Sequence, residues 1–421
     1  MSKWECMHPF IGFDVDAEGM YQACCQSRVH GNPTIADLKP LQFFHSKQMD
    51  DLREAFLKED PREEEIVQHV CKMCIYKEQV SGDSKRLKDF RQMSRKQDVL
   101  YQEALKDFKE GKILKYRDLH FKFESFGNIC NLKCVMCGPS RSSKWALETI
   151  EHKETSFVHK HFYIHHVPPK PVNDPIADLG DDRFGFYEDL YIILQECEFL
   201  DISGGEPSIS KTLQEMLDYF IERGGFKRKL TLHFNTNCTA KVGYFKKLLK
   251  HYKIAAAVSL DAYKERNDYI RTDLDWELVE RNMFAYSVLA RKNKDFNLMV
   301  CITPQALNSG YVMELIEWIE KNTLAKPTMN HIIYNPKIFS FASLPPHIKR
   351  MYFEKIKDVD HPVLDTIKEA LQSEEYDETE FINLAKVLSN LDEVRKNKIK
   401  WQELWPELSE YYETIRSKQT I

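Results

Sequence analysis

Cys130, Cys134 and Cys137 stand together in the run CNLKCVMC. Their spacing, Cys-x3-Cys-x2-Cys, brings three thiolates to one short loop with no fourth cysteine nearby. A structural zinc or iron–sulfur site closes its coordination with four protein ligands. Three thiolates leave one position open, and an open position is where a substrate or cofactor binds. Taken alone, the triplet also fits an incomplete zinc knuckle or a set of buried thiols. A second feature is Gly204-Gly205-Glu206-Pro207. Glycines let the backbone approach a ligand closely and take positive φ, and Glu206 can accept a hydrogen bond from a charged amino group. Alone, this is equally an ordinary glycine turn after a strand.

The surrounding sequence supplies elements to position both features. Leu119 to Ser125 alternates like a half-buried strand and delivers the cysteine loop at its C-terminal end. Glu198 to Ser203 is read as a strand running into Gly204. Four further apolar runs follow, Lys229 to Asn235, Ile254 to Leu260, Phe296 to Thr303 and Met329 to Tyr334. Helix-like stretches such as Lys211 to Glu222, Leu274 to Arg291 and Tyr311 to Lys321 separate them. Strands alternating with helices imply βα units and a parallel sheet, an α/β fold. The strand ends carry Asn235-Thr236-Asn237, Ser259-Leu260-Asp261, Ile302-Thr303 and Asn335-Pro336.

The cysteine spacing, Met136 before the last cysteine, and the GGEP run after the next strand together resemble the radical S-adenosylmethionine (SAM) enzymes. That resemblance implies a partial (β/α)6 TIM-like barrel, with active groups at the C-terminal ends of the strands. It implies that Cys130, Cys134 and Cys137 hold a [4Fe–4S] cluster chelating SAM, reductively cleaved to a 5′-deoxyadenosyl radical that abstracts a substrate hydrogen atom. Gly204, Gly205, Glu206 and Pro207 would then belong to the SAM pocket. Thr236, Ser259 and Asp261 could meet the ribose hydroxyls or the methionine carboxylate, and Arg271, in the run DYIR, could pair with that carboxylate. Each could equally be a helix cap or a surface residue. A reducing electron donor, flavodoxin- or ferredoxin-like, is the partner such chemistry implies.

The N-terminal cysteines carry a second resemblance. Cys6, Gly19, Cys24 and the pair Cys71 and Cys74 match the twitch domain, a shortened relative of the SPASM domain. The stretch DAEGMYQACC looks like its β-hairpin, with Glu18-Gly19 as the turn, and a helix is expected near Ser46 to Lys58. The resemblance implies an auxiliary [4Fe–4S] cluster on Cys6, Cys24, Cys71 and Cys74. The same four thiolates suit a structural zinc, and Cys25 competes with Cys24 as ligand. In the known twitch enzymes this domain usually follows the barrel, whereas here it precedes it.

These readings divide the chain into an auxiliary iron–sulfur domain at 1–82, a helical connector at 83–116, a barrel at 117–345 with an insertion at about 151–187, and a helical extension at 346–421. The 421 residues suffice for two domains and a substantial core. A net charge of −5 argues against general phosphate-backbone binding. No apolar run is long enough to span a bilayer, and no signal peptide is evident. Seven of the eleven cysteines fall in the two metal-like groups, which suits a reducing cytoplasm. Cys197 and Cys301 are expected as buried thiols. Lys85 to Lys112 is read as one or two solvated helices, because acidic residues interleave with basic ones. Pro345-Pro346 should start a new helix, followed by amphipathic helices anchored by Trp401 and Trp405.

The insertion, Glu151 to Tyr187, contains His152, His159, His161, His165 and His166 and Pro168-Pro169. It is read as a loop or hairpin carrying substrate recognition; a metal-binding histidine cluster is the alternative. For function, a peptide- or protein-modifying enzyme stands beside a small-molecule dehydrogenase acting on a sugar or aminocyclitol. The dehydrogenase needs a base that the sequence does not name. A non-catalytic metal-binding scaffold is the third reading.

Overall fold

The computed structural model describes residues 4–27, 31–124, 126–159 and 170–419. The chain adopts an α/β fold. Its strands are β1 (Asp14–Val15), β2 (Tyr21–Gln22), β3 (His120–Phe123), β4 (Phe199–Ile202), β5 (Thr231–Thr236), β6 (Lys253–Ser259), β7 (Phe296–Ile302) and β8 (Lys326–Met329). They form an eight-stranded sheet in the order β2-β1-β3-β4-β5-β6-β7-β8. From β3 onward that order follows the sequence, as repeated βα units require. β3–β4, β6–β7 and β7–β8 pair in parallel, whereas β1–β2 is antiparallel.

Two compact units interleave along the chain. One comprises residues 1–127, 174–233 and 251–253; the other comprises 128–173, 234–250 and 254–421.

In the first unit the expected N-terminal hairpin is present, with Val15 opposite Tyr21. Asp16 Oδ1 accepts from the amides of Glu18 and Met20, and Gly19 sits at φ +78°, where a Cβ would be strained. Phe13 packs edge-on against Tyr21, Phe43, Tyr116 and Phe121. The expected helix after Ser46 spans Lys47–Phe56, with the Ser46 hydroxyl accepting from Met49 N–H. The charged connector forms two helices, Lys85–Gln92 and Arg95–Lys109, capped by Ser84 and Ser94. The helix Lys211–Glu222 begins at a Ser210 cap.

In the second unit, β7 pairs β6 from Phe296 to Cys301 and β8 from Met299 to Ile302. The sixth strand departs from expectation: it occupies Lys326–Met329 and ends where the apolar run Met329 to Tyr334 begins. It is the last strand in the order, and an edge position tolerates Pro327. The helix Pro346–Ile356 starts at the second proline of the pair. Trp401 and Trp405 are buried; their indoles donate to Ser389 Oγ and to the Leu307 carbonyl. Among the described residues no helix is long and apolar enough to cross a membrane.

Asp268, on the helix Lys264–Ile270, has its carboxyl pushed up from 3.8 to about 6. Burial is the main cause; the Trp276 N–H opposes it, and the carboxylates of Asp275 and Glu265 add to it. A carboxyl raised in the folded state takes up a proton on folding, so stability is lost as pH rises from about 4 through 6. Asp268→Asn is expected to be more stable than the parent by about 1 kcal/mol at pH 8, and equal to it near pH 4. The full shift would give about 3 kcal/mol, discounted here because solvent screens a half-exposed carboxylate. Urea unfolding at the two pH values checks this.

Candidate metal and ligand sites

In the second unit the cysteine loop is fixed by its backbone. Lys133 N–H donates to the Thr272 carbonyl at 2.9 Å and Val135 N–H to the Ile270 carbonyl at 2.8 Å. Ser142 Oγ donates to the Leu132 carbonyl at 2.6 Å, and Trp145 Nε1 to the Cys134 carbonyl at 2.7 Å. Leu132 and Val135 turn into the core, leaving Cys130 and Cys137 half-buried and Cys134 buried. Cys134 and Cys137 share a hydrogen bond, which lowers the Cys137 thiol and raises that of Cys134. Cys130 also acts electrostatically on Cys137.

Besides the Leu132 N–H, 3.5 Å from Cys130 Sγ, two side-chain donors reach the sulfurs. Asn237 Nδ2 lies 4.0 Å from Cys130 Sγ and bonds Asn131 Oδ1 at 2.9 Å. Arg271 Nη1 lies 3.9 Å from Cys134 Sγ. Arg271 Nη2 meets Asp261 Oδ2 at 2.8 Å, and Asp261 Oδ1 accepts from Thr303 N–H at 2.9 Å. Arg271 and Asp261 are thus brought to the cysteine loop as a pair. Thr236 is buried at the end of β5, and Ser259 is half-buried at the end of β6. Arg271 Nε, Asn267 Nδ2 and both amide atoms of Gln305 are buried with no hydrogen-bond partner among the described residues. Each such group costs about 1–3 kcal/mol unless something polar meets it, so this end of β6 and β7 suits a polar ligand.

Behind the loop, Glu148 accepts from Lys133 Nζ at 2.6 Å and Arg395 Nη2 at 2.9 Å, with His159 Nε2 at 3.2 Å. Arg395 also donates to the Lys133 carbonyl and Thr272 Oγ1, both at 2.9 Å, and lies over the Trp145 ring. His159, read from sequence as part of a recognition insertion, is wholly buried in this network. His161, His165, His166 and Pro168-Pro169 lie outside the described residues, as does Ser125.

In the first unit, Gly204 has φ +100°, and a Cβ there would stand 2.6 Å from the Glu124 carbonyl oxygen. Only glycine fits. Gly205 also has positive φ. Glu206 is buried; its carboxylate accepts from Ser208 N–H at 3.1 Å and caps the short turn Pro207–Ile209.

The four N-terminal cysteines of the same unit line one enclosed cavity: Cys6, Cys24, Cys71 and Cys74, with Trp4 and Arg86. Burial first, and then mutual repulsion, push the thiols of Cys6, Cys24 and Cys71 up. Cys25 instead lines a different cavity with Asp14, Gln22, Lys122 and Glu124. For a metal held by these four thiols, anaerobic reconstitution checks the choice: Cys24→Ala is expected to lose it, and Cys25→Ala to retain it. Arg86 closes the cavity by donating to Glu78 at 2.8 Å and to the Glu5 carbonyl at 2.7 Å.

One pairing escaped the sequence reading. His233 Nδ1 lies 2.8 Å from Asp201 Oδ1, and Asp201 is in register with Lys122, itself paired with Glu124. The alternation in HFKFE, FLDI and TLHF places these side chains on the half-exposed face of their strands. Cys197 is buried as expected, but Cys301 is only half-buried, because β7 alternates and sets it on the face shared with Asn297 and Met299.

None of the eleven cysteines forms a disulfide. Among the described residues no three Cys, His, Asp or Glu side chains stand at the spacing of a single bound ion. The donors directed at the sulfurs and the buried polar atoms beside the loop fit a larger polar group such as a cluster with its ligand.

No family model matches the chain, and no curated protein matches it. Among solved structures the chain is similar to native anSMEcpe with bound AdoMet, at 17% identity over 57% of this chain and 60% of that one, with a TM-score of 0.38. It is similar to Streptococcus suis SuiB at 14% identity over 83% of this chain and 67% of that one, with a TM-score of 0.37. SuiB bound to the precursor peptide SuiA gives 13% identity over 83% and 68%, with a TM-score of 0.32. The chain thus spans about three fifths of the length of the first of these proteins.

Proposed function

We propose that the chain is a radical SAM enzyme. The observation that carries this reading is the three-cysteine loop, where side-chain donors from Asn237 and Arg271 are directed at Cys130 and Cys134 Sγ. Cys130, Cys134 and Cys137 would hold a [4Fe–4S] cluster. With SAM bound, that cluster supplies a 5′-deoxyadenosyl radical able to abstract a hydrogen atom from an unactivated C–H bond. Glu206 would receive the SAM amino group, and Gly204, Gly205 and Pro207 would shape the backbone beside it. Thr236, Ser259, Asp261 and Arg271 would serve the ribose and carboxylate side. Cys6, Cys24, Cys71 and Cys74 would hold an auxiliary [4Fe–4S] cluster in an N-terminal domain of residues 1–82, ahead of a barrel at 117–345. The electron donor would be a flavodoxin- or ferredoxin-like protein of a reducing compartment.

A peptide or protein is the substrate class we favour, because the twitch-like cysteine pattern resembles that of peptide-modifying members. The His233–Asp201 pair supports the dehydrogenase reading. A carboxylate on Nδ1 fixes the tautomer and leaves Nε2 as the acceptor nitrogen. That is the arrangement of a general base, which the oxidation of a carbinol needs.

Anaerobic reconstitution tests the proposal. The full chain is expected to bind about eight irons and eight sulfides, the content of two [4Fe–4S] clusters, and to form 5′-deoxyadenosine with dithionite and SAM. About four irons with 5′-deoxyadenosine formed would leave the enzyme but return the N-terminal site to zinc. Zinc throughout and no SAM cleavage would leave the scaffold.

A further inference from the structure

Arg271 and Asp261 form an ion pair that water hardly reaches: their side chains are 8% and 0% exposed. The guanidinium bridges Asp261 Oδ2 at 2.8 Å and Cys134 Sγ at 3.9 Å. Asp261 is held from behind by Thr303 N–H, and its own amide donates to Asn267 Oδ1 at 3.1 Å. The pair therefore fixes a positive end against the middle thiol of the loop, with a negative end behind it. A buried ion pair contributes little net stability, because desolvation offsets the attraction. Its field, however, acts through a low dielectric and is felt strongly by a neighbouring charge.

We propose that the Arg271–Asp261 pair sets the reduction potential of the cluster held by Cys130, Cys134 and Cys137. The inference rests on the cluster reading above. Reduction adds one electron from an external donor and makes the site one charge more negative; no protein bond forms or breaks. Arg271 favours that added charge and Asp261 opposes it. In this role, beside the SAM contacts proposed above, the pair is a positioning device that acts through the thiolates, and potentials of such clusters respond to charge and to hydrogen bonds at sulfur.

The test is an EPR-monitored potentiometric titration of the full reconstituted chain, reading the signal that SAM perturbs. Arg271→Gln is expected to lower the reduced-to-oxidised ratio at a fixed potential at least tenfold, a shift of about 59 mV for one electron. Asp261→Asn is expected to raise it by a similar factor, and Arg271→Lys to keep most of the parental value. Opposite shifts at normal iron content are what a merely structural pair would not produce. Should Arg271→Gln fail to fold, Asp261→Asn decides alone: an upward shift supports the proposal. Variants that bind iron normally and titrate within twofold of the parent, or that shift in the same direction, overturn it. A parent chain that assembles no cluster removes the cluster reading itself, a result distinct from an unchanged potential.

Discussion

Cys134→Ala protein, reconstituted anaerobically, is expected to hold about four irons where the parent holds about eight. Its 5′-deoxyadenosine formation should fall at least a thousandfold, to the level of a blank. Cys134 is the decisive position because it is the buried member of the triplet, shares a hydrogen bond with Cys137, and meets Arg271. A cluster left with two thiolates has no reason to persist in a loop that offers no fourth cysteine. Cys74→Ala is expected to lose a similar amount of iron yet retain substrate-free SAM cleavage, because its cavity belongs to the other set of four. Iron and sulfide analysis with product chromatography reads both. If Cys134→Ala kept its iron and its cleavage, the loop would not be the cluster site.

Arg395→Ala should destabilise the second unit by about 3 kcal/mol and lower Tm by about 6–12 °C. Arg395 is 2% exposed and Glu148 is 7% exposed, so truncation leaves a buried carboxylate short of its main partner. It also removes donors to the Lys133 carbonyl and Thr272, two anchors of the cysteine loop. Iron uptake should therefore fall along with stability. Arg395→Lys keeps the charge but not the planar fork, and should lie between. Thermal unfolding by circular dichroism checks the order. The same network sets an acid limit. Burial works against ionisation of Glu148, but the His159 hydrogen bond and the Arg395 charge outweigh it and hold the carboxyl well below its usual range. A carboxyl lowered in the folded state contributes stability above its unfolded value of about 4.5, lost as pH falls through the folded value. Glu148→Gln should flatten that acid loss.

Strand order and type were legible because period-two alternation and polar strand ends persist through HFKFE, FLDI and TLHFNT. β8 was not. KPTM contains a proline and a lysine that an edge position accepts, whereas the more apolar HIIY beside it forms no strand, and its Ile332, Ile333 and Tyr334 line a cavity with Phe341 and Lys349. The cysteine sets were legible as types and spacings. What the spacing could not separate was Cys24 from Cys25, since adjacent residues differ only in which side of the backbone they leave; the cavities place them apart. The Glu148–Arg395 and His233–Asp201 pairs were invisible for another reason. Their members are 247 and 32 residues apart, and nothing local marks a charge as partnered.

The anchoring of the cysteine loop by Arg395 also orders events during synthesis. The loop's last lock arrives 262 residues after Lys133 has left the ribosome. At about 5–20 residues per second that is a delay of roughly 13–50 s. The four-cysteine cavity is complete once Arg86 has emerged. A nascent chain is therefore expected to close its N-terminal thiols first and to hold Cys130, Cys134 and Cys137 on an unlocked loop until Arg395 has emerged. On the cluster reading proposed above, an iron–sulfur delivery protein would meet a loop that is locked only once Arg395 is in place.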